Sequence, residues 1–326
     1  MPQPLALTES VLSDLSSLSS IPICREQRIE DRLHHILPST ETHPQPLHQA
    51  MHHAVFSGGK RLRPQLLLQI AGACGADSRE LELALTIGCA VELIHTASLV
   101  HDDLPCFDNA DTRRGRPTVH VQFGTPMAVL VGDALIALAF ESLTEAPPQL
   151  AGRALRAVRL LARATGSAAG IIGGQSMEQS LAPGAHSSSP ELMDRYHQMK
   201  TAALFQLAGE AGAVVAGSAR AAEWAWVGQL IGRWYQLADD FLDTHAQSAL
   251  VGKPVGQDAA HGRPNAILHL GPNVIRARMR GLLREIESRV LELCAEAATS
   301  PAPVLSCLEA ACDQLMQAMG GGHAST

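Results

Sequence analysis

The chain has 326 residues, 46% of them apolar and only 3% aromatic, with 17% charged residues and a formal net charge of −7. That share of apolar side chains can bury a large core of Leu, Ala, Val and Ile and excludes a disordered, solvating chain. The negative balance argues against a general nucleic-acid binder, although clustered Lys and Arg can still act locally on small anions. No strand-like alternation is sustained enough to build a sheet, and no repeat of fixed period is present. In chain order, a glycine-led cationic turn at 58–64 precedes an apolar helix starting near Gln65. Long helices are then predicted over 80–103, 126–143, 150–179, 190–216 and 221–243, all rich in good helix formers. The run Cys89-Ala90-Val91-Glu92-Leu93-Ile94 is apolar on most faces, as expected of a helix surrounded by other helices. Pro and Gly cluster at 44–46, 115–117, 147–148, 183–190, 252–264 and 301–303, marking loops inside one bundle. The expectation is a single all-α domain over 1–326, with 1–20 and 318–326 frayed.

Seven cysteines, at 24, 74, 89, 106, 294, 307 and 312, form no C-x-x-C pair and no zinc spacing, which reads as reduced cytosolic thiols. No basic-then-apolar export signal opens the sequence, and no uninterrupted apolar run reaches the roughly 18 residues of a membrane span. The best candidate, 127–140, carries Asp133 in its middle. A soluble, cytoplasmic protein is expected.

The sharpest chemical feature is Asp102-Asp103-Leu104-Pro105-Cys106-Phe107-Asp108, followed by Asp111 and Arg113-Arg114-Gly115. Carboxylates at the C-terminal end of an apolar helix face the negative pole of its dipole and require a compensating cation. A second cluster, Asp239-Asp240-Phe241-Leu242-Asp243, also follows an apolar helix, and Asp239 and Asp243 share one helical face. A solvated helix end explains either cluster alone, but two in a charge-poor chain favour a bound ion. Oxygen-only ligands suit a hard cation such as Mg²⁺, which combines one or two carboxylates with waters and phosphate oxygens. The spacing excludes an EF-hand.

Lys60 and Arg63 lie three apart and can address one anion if the helix has begun by then. Arg113 and Arg114 stand beside the first acidic cluster, where cations can bind the same phosphates as a metal from another side. Lys200-Thr201 and Lys253 are individually weaker. His95 lies two helical turns before Asp102 on a similar face, and an anion-contacting role for it depends on Lys60 and Arg63. His48 and His52, four apart, lack the acidic partner of a zinc site.

Five segments then stand in a telling order: GGKRLRP, ELIHTASLVHDDLPCFDNADTRRGRPTVH, VLVGDALIALAFE, MKTAALF and YQLADDFLD. Over about 58–266 the chain resembles the trans-prenyltransferase (polyprenyl diphosphate synthase) family, and in particular the bacterial geranylgeranyl diphosphate synthases of carotenoid and bacteriochlorophyll gene clusters. The resemblance implies an isoprenoid-synthase-type helical bundle around a deep central cavity, usually a homodimer. It implies Mg²⁺, three ions with substrate bound, held by Asp102, Asp103, Asp108, Asp239 and Asp243. These would clamp an allylic diphosphate (dimethylallyl, geranyl or farnesyl) together with Arg113, Lys200, Thr201, Gln236 and Lys253. Isopentenyl diphosphate would be held by Lys60, Arg63, His95 and Arg114. Asp102, Asp103, Asp108, Asp239, Lys200 and Arg113 would form the catalytic set.

Product length in such enzymes depends on what closes the cavity beneath the first acidic motif. Ala97 lies five residues before Asp102, about 7.5 Å down the helix at roughly 1.5 Å per residue. Small Ala97 and Ser98 leave room for a further five-carbon unit, and the four-residue spacer Leu104 to Phe107 resembles that of short-chain bacterial enzymes. The segment Gly252 to Asn265 resembles the geranylgeranyl diphosphate synthases, and together these imply a twenty-carbon product, with fifteen carbons or a non-catalytic regulatory subunit as alternatives. A terpene cyclase has no need of a second diphosphate pocket, so Lys60, Arg63 and Arg114 argue against one. The chain departs from many relatives at Gln257 and at Arg263-Pro264-Asn265, which puts that loop's role in doubt. It also carries Tyr235 where Phe is usual, and Glu178 and Gln179 where relatives often carry Asp.

Overall fold

A computed structural model describes residues 23–180, 190–245, 267 and 270–320. Among them the architecture is helical apart from one short hairpin. In chain order α1 spans Ile23–Ile36, α2 Gln45–Val55, α3 Leu62–Ala73 and α4 Ser78–Asp102. Strands β1 (Thr112–Arg113) and β2 (Arg116–Pro117) follow, then α5 Val119–Phe123, α6 Thr125–Glu141, α7 Ala151–Thr165 and α8 Ile171–Ser180. Helix α9, Pro190–His197, runs through a π turn at Gln198–Ala202 into α10, Ala203–Val215. Helices α11 Ala221–His245, α12 Pro272–Glu296 and α13 Ala302–Gly320 complete the described chain.

Helix α4 sits at the centre, and its sequence says why. It opens with a capping box: the Asp77 carboxylate accepts from the Glu80 amide at 2.8 Å, and Glu80 accepts from the Asp77 amide at 2.9 Å. Beyond that cap it is apolar on nearly every face, and α1, α2, α3, α6, α7 and α10 all pack on it. Helices α10 and α11 meet backbone to backbone: a Cβ on Gly209 would strike the Trp224 carbonyl, and one on Gly228 the Phe205 carbonyl. The main core holds Leu66, Leu93, Leu135, Phe205 and Trp224. A smaller cluster gathers Trp234, Phe241, Ile275 and Met279, and Tyr235 and Leu282 pack against both.

Several expected boundaries shift. The run expected as one helix over 150–179 is broken, because α7 ends at Thr165, capped by Gly166, and α8 begins only at Ile171. The run over 190–216 is continuous but carries the π turn. Helix α3 begins at Leu62, earlier than Gln65, with Arg61 as its N-cap. The expected frayed start lies outside the described residues, whereas 318–320 are helical in α13. Two stretches, Ser78–Asp102 and Thr125–Glu145, are long and apolar enough to cross a membrane by composition. The first is a core helix with 78% of its apolar window buried; the second is only 39% buried.

Candidate active site

At the end of α4 the chain turns at Leu104-Pro105 and folds back on the helix's last carbonyls. The Asp108 amide donates to the Asp102 carbonyl at 2.8 Å, and the Asn109 amide to the Leu104 carbonyl at 3.0 Å. This return, helped by Asn109 at φ 48°, brings Asp108 beside Asp102. Burial pushes the Asp102 carboxyl up to about 6, with Lys200 and Arg113 opposing the shift and Asp108 and Glu178 adding to it. Asp103 faces elsewhere. It is 4% exposed, and Arg113 grips it with Nε at 2.9 and 3.0 Å and Nη2 at 2.7 Å. The hairpin explains how adjacent arginines part company: Arg113 pairs with Arg116 in β1–β2, while Arg114 (φ 54°) and Gly115 (φ 74°) form its turn. Arg114 reaches away to donate to the Gly58 carbonyl, and a Cβ on Gly59 would lie 2.6 Å from Arg114 Nη1.

The 58–63 segment therefore forms a cationic cradle with Arg114. Lys60 is exposed, and Arg63 lies half-buried in the first turn of α3. The Arg63 guanidinium sits 4.4 Å from the Phe205 ring centroid and 6.0 Å from that of Tyr235. Its Nε is buried with no hydrogen-bond partner, as suits a cation awaiting an anion. Burial, then the positive charges of Arg63 and Arg114, hold His95 well below 6.5, so its imidazole is neutral.

The second wall is built around the π turn. Such a turn inserts an extra residue and re-aims the side chains it carries, here Lys200 and Thr201. Lys200 pairs with Glu178 of α8, which is 6% exposed and also accepts from the Tyr196 hydroxyl at 2.7 Å. Thr201 donates to Gln236 Oε1, and Gln236 Nε2 donates to Asp240 Oδ1 at 2.6 Å. Asp240 is 1% exposed, whereas Asp239 is half-buried on the same helix. Thus α11 presents Asp239 and keeps Asp240 to orient Gln236. Asp243 belongs to α11, but its side chain lies outside the described residues, as do Lys253 and the whole 257–265 loop.

No three acidic, histidine or cysteine side chains among the described residues converge closely enough to hold a metal unaided. Mg²⁺ takes only one or two carboxylates and completes its shell with water and phosphate. Burial is the main reason the Asp102 carboxyl is raised, and a cation bound there would offset the cost of keeping it ionised.

Comparison with known proteins agrees with this geometry. A family model described as polyprenyl synthetase matches residues 44–291. The chain belongs to the polyprenyl synthetase family. This polyprenyl synthetase is 45% identical over 240 residues to a geranylgeranyl diphosphate synthase of Cereibacter sphaeroides, covering 74% of this chain and 80% of that one. It is 41% identical to a geranylgeranyl diphosphate synthase of Rhodobacter capsulatus, covering 74% and 79%. Among solved structures it resembles an FPP/GFPP synthase from Zymomonas mobilis at 31% identity and TM-score 0.73, covering 91% and 97% of the two chains. A geranyltransferase from Helicobacter pylori, complexed with magnesium and isoprenyl diphosphate, matches at 26% identity and TM-score 0.77, covering 96% and 99%. The expected all-α fold is the fold of these synthetases.

Three features of this polyprenyl synthetase were not legible as site residues: Glu178, Tyr196 and Asp240. Glu178 and Tyr196 act on side chains of other elements, so no local spacing marks them, while Asp240 acts within α11 on Gln236 four residues before it. Ala97 and Ser98, both expected at the pocket floor, lie on different faces of α4. Ala97 is 1% exposed and packed in the core, while His95, Ser98, Leu99 and Asp102 form the less buried face of this part of α4. Ser98, with its hydroxyl bonded to the His95 carbonyl at 2.8 Å, is the residue below Asp102 on that face.

Proposed function

We propose that this chain is a short-chain trans-prenyl diphosphate synthase that condenses isopentenyl diphosphate with an allylic diphosphate to give geranylgeranyl diphosphate. One observation carries the reading. A single face of α4 presents the carboxylate Asp102 at one end and neutral His95 two turns earlier, next to an arginine whose buried Nε lacks a partner. That is a metal-type anion site beside a metal-free one, as two different diphosphates require.

Asp102, Asp108 and Asp239 would hold Mg²⁺, whose chemistry when bound would be charge neutralisation on the leaving diphosphate. Arg113, fixed by Asp103, and Lys200, fixed by Glu178, orient that diphosphate, with Thr201 and Gln236 on its other flank. The allylic C–O bond breaks and the diphosphate departs with the electron pair. Lys60, Arg63, Arg114 and neutral His95 hold the isopentenyl diphosphate so that its double bond attacks the allylic carbon. One C–C bond forms, and a proton is lost to the departed diphosphate, so no side-chain base is needed. We read the assembly as a homodimer, supported by the outer face of α6, where Val129 and Leu130 are 40% and 53% exposed beside a single charged residue, Asp133.

The test is incubation of purified protein with Mg²⁺, isopentenyl diphosphate and each allylic starter, followed by dephosphorylation and chromatography. The twenty-carbon alcohol should dominate and vanish with a chelator. Absence of any prenyl product, or turnover indifferent to Mg²⁺, overturns the reading; a fifteen-carbon product overturns the chain-length part alone.

A further inference from the structure

We infer that Arg61, through Glu92, is a positioning residue for the isopentenyl diphosphate pocket; the inference rests on the function proposed above. Arg61 stands between the two cations of the cradle, yet its own charge is turned inward. Its side chain is 2% exposed and it takes a left-handed backbone conformation, φ 46° and ψ 34°, that a residue with a side chain seldom adopts. Its donors are used inside the protein. Nη1 donates to Glu92 at 2.9 Å, Nε to Glu30 at 2.7 Å, and Nη2 to the Val55 carbonyl at 2.7 Å. Glu92 is 3% exposed and belongs to α4; Glu30 belongs to α1.

The position of Glu92 gives this network its meaning. It precedes His95 by three residues, so both lie on one face of α4. Gly88, four residues earlier again, continues that face, and a Cβ there would meet Pro64 Cβ at 3.0 Å and Pro64 Cα at 3.1 Å. Two successive turns of α4 therefore set the start of α3, by close contact at Gly88 and an ion pair at Glu92, and the next turn carries His95. Because Arg61 is the N-cap of α3, its fork fixes where Lys60 leaves the loop and where Arg63 enters the helix, both relative to His95. A buried ion pair is weak as a source of stability alone, whereas a pair joining two halves of an anion site sets their separation. Arg61 does not itself contact the diphosphate in this assignment.

Arg61→Lys keeps the charge but loses the fork, and Glu92→Gln keeps the shape but loses the charge. Steady-state kinetics on both should show KM for isopentenyl diphosphate rising about tenfold, with KM for the allylic diphosphate changed less than about twofold. Glu30→Gln cuts the partly exposed α1 arm and is the mildest of the three; it should give a smaller rise of the same selectivity, and it decides the matter if the other two do not fold. Equal weakening of both substrates in step with a lower Tm, or an unchanged isopentenyl KM, overturns the inference. Wild-type protein in the same assay separates the two failures. No prenyl product from it sinks the proposed function, whereas normal product with unselective variants sinks only the role of Arg61.

Discussion

Burial holds the Asp102 carboxyl near 6 against an ordinary 3.8. A folded-state pKa above the unfolded one means that the native protein binds this proton more tightly. Its contribution therefore favours folding at low pH, is lost as pH rises from about 3.8 to about 6, and stays lost above that. Asp102→Asn removes the ionisation, so in Mg²⁺-free buffer at pH 7.5 the variant should be more stable than wild type, by on the order of 1–3 kcal/mol. His197 pulls the other way. Burial lowers it to about 4 from 6.5, so its contribution is lost as pH falls through that window. Calorimetry of the two proteins side by side isolates Asp102: the Tm difference should grow between pH 4 and 6 and then level off. Condensation by the Asn variant should fall by at least about a hundredfold. A variant that is less stable than wild type at pH 7.5, or that keeps its activity, contradicts this account of the carboxylate.

A helix face sorts neighbours that a residue count does not. Counting back five residues from Asp102 gives the depth of Ala97 but also turns it about 140° away, at roughly 100° per residue, which is why it lies in the core. Ser98, four residues back, shares the face of Asp102 and His95 and is half-buried. Ser98→Phe should shorten the main product by at least one five-carbon unit, read by chromatography of the dephosphorylated alcohols. Ala97→Tyr should instead cost about 1–3 kcal/mol by overpacking, seen as a lower Tm. The reverse pattern would assign the floor to Ala97. The acidic motifs, Arg63 and His95 were legible because each motif is local and its residue types leave few chemistries open. The fork of Arg113 onto Asp103 and of Arg114 toward Gly58 was not, since it depends on a hairpin turn with two positive φ values. Nor was Glu178, whose partner Lys200 is brought to it by the π turn.

At the scale of the molecule, helix positions followed from apolar runs punctuated by Pro and Gly, and α4 read as central because Cys89 to Ile94 has no polar face beyond Glu92. Periodicity could not say which apolar helix keeps a bare side. The structure shows it to be α6, whose inner face packs on α4 while Val129 and Leu130 point outward. The inner face matters to chemistry: Gly132 of α6 lies so close to His101, the residue before Asp102, that a Cβ there would strike its imidazole. A partner covering the outer face would therefore brace α6 behind the acidic motif. Leu130→Glu adds a second negative charge to that face, one turn from Asp133, without touching the site. Sedimentation velocity at micromolar protein should show a dimer for wild type and a monomer for the variant. Condensation should fall with dissociation and recover as protein concentration is raised. A wild-type monomer, or a monomeric variant of undiminished activity, would show that α6 supports the site without help from a second copy.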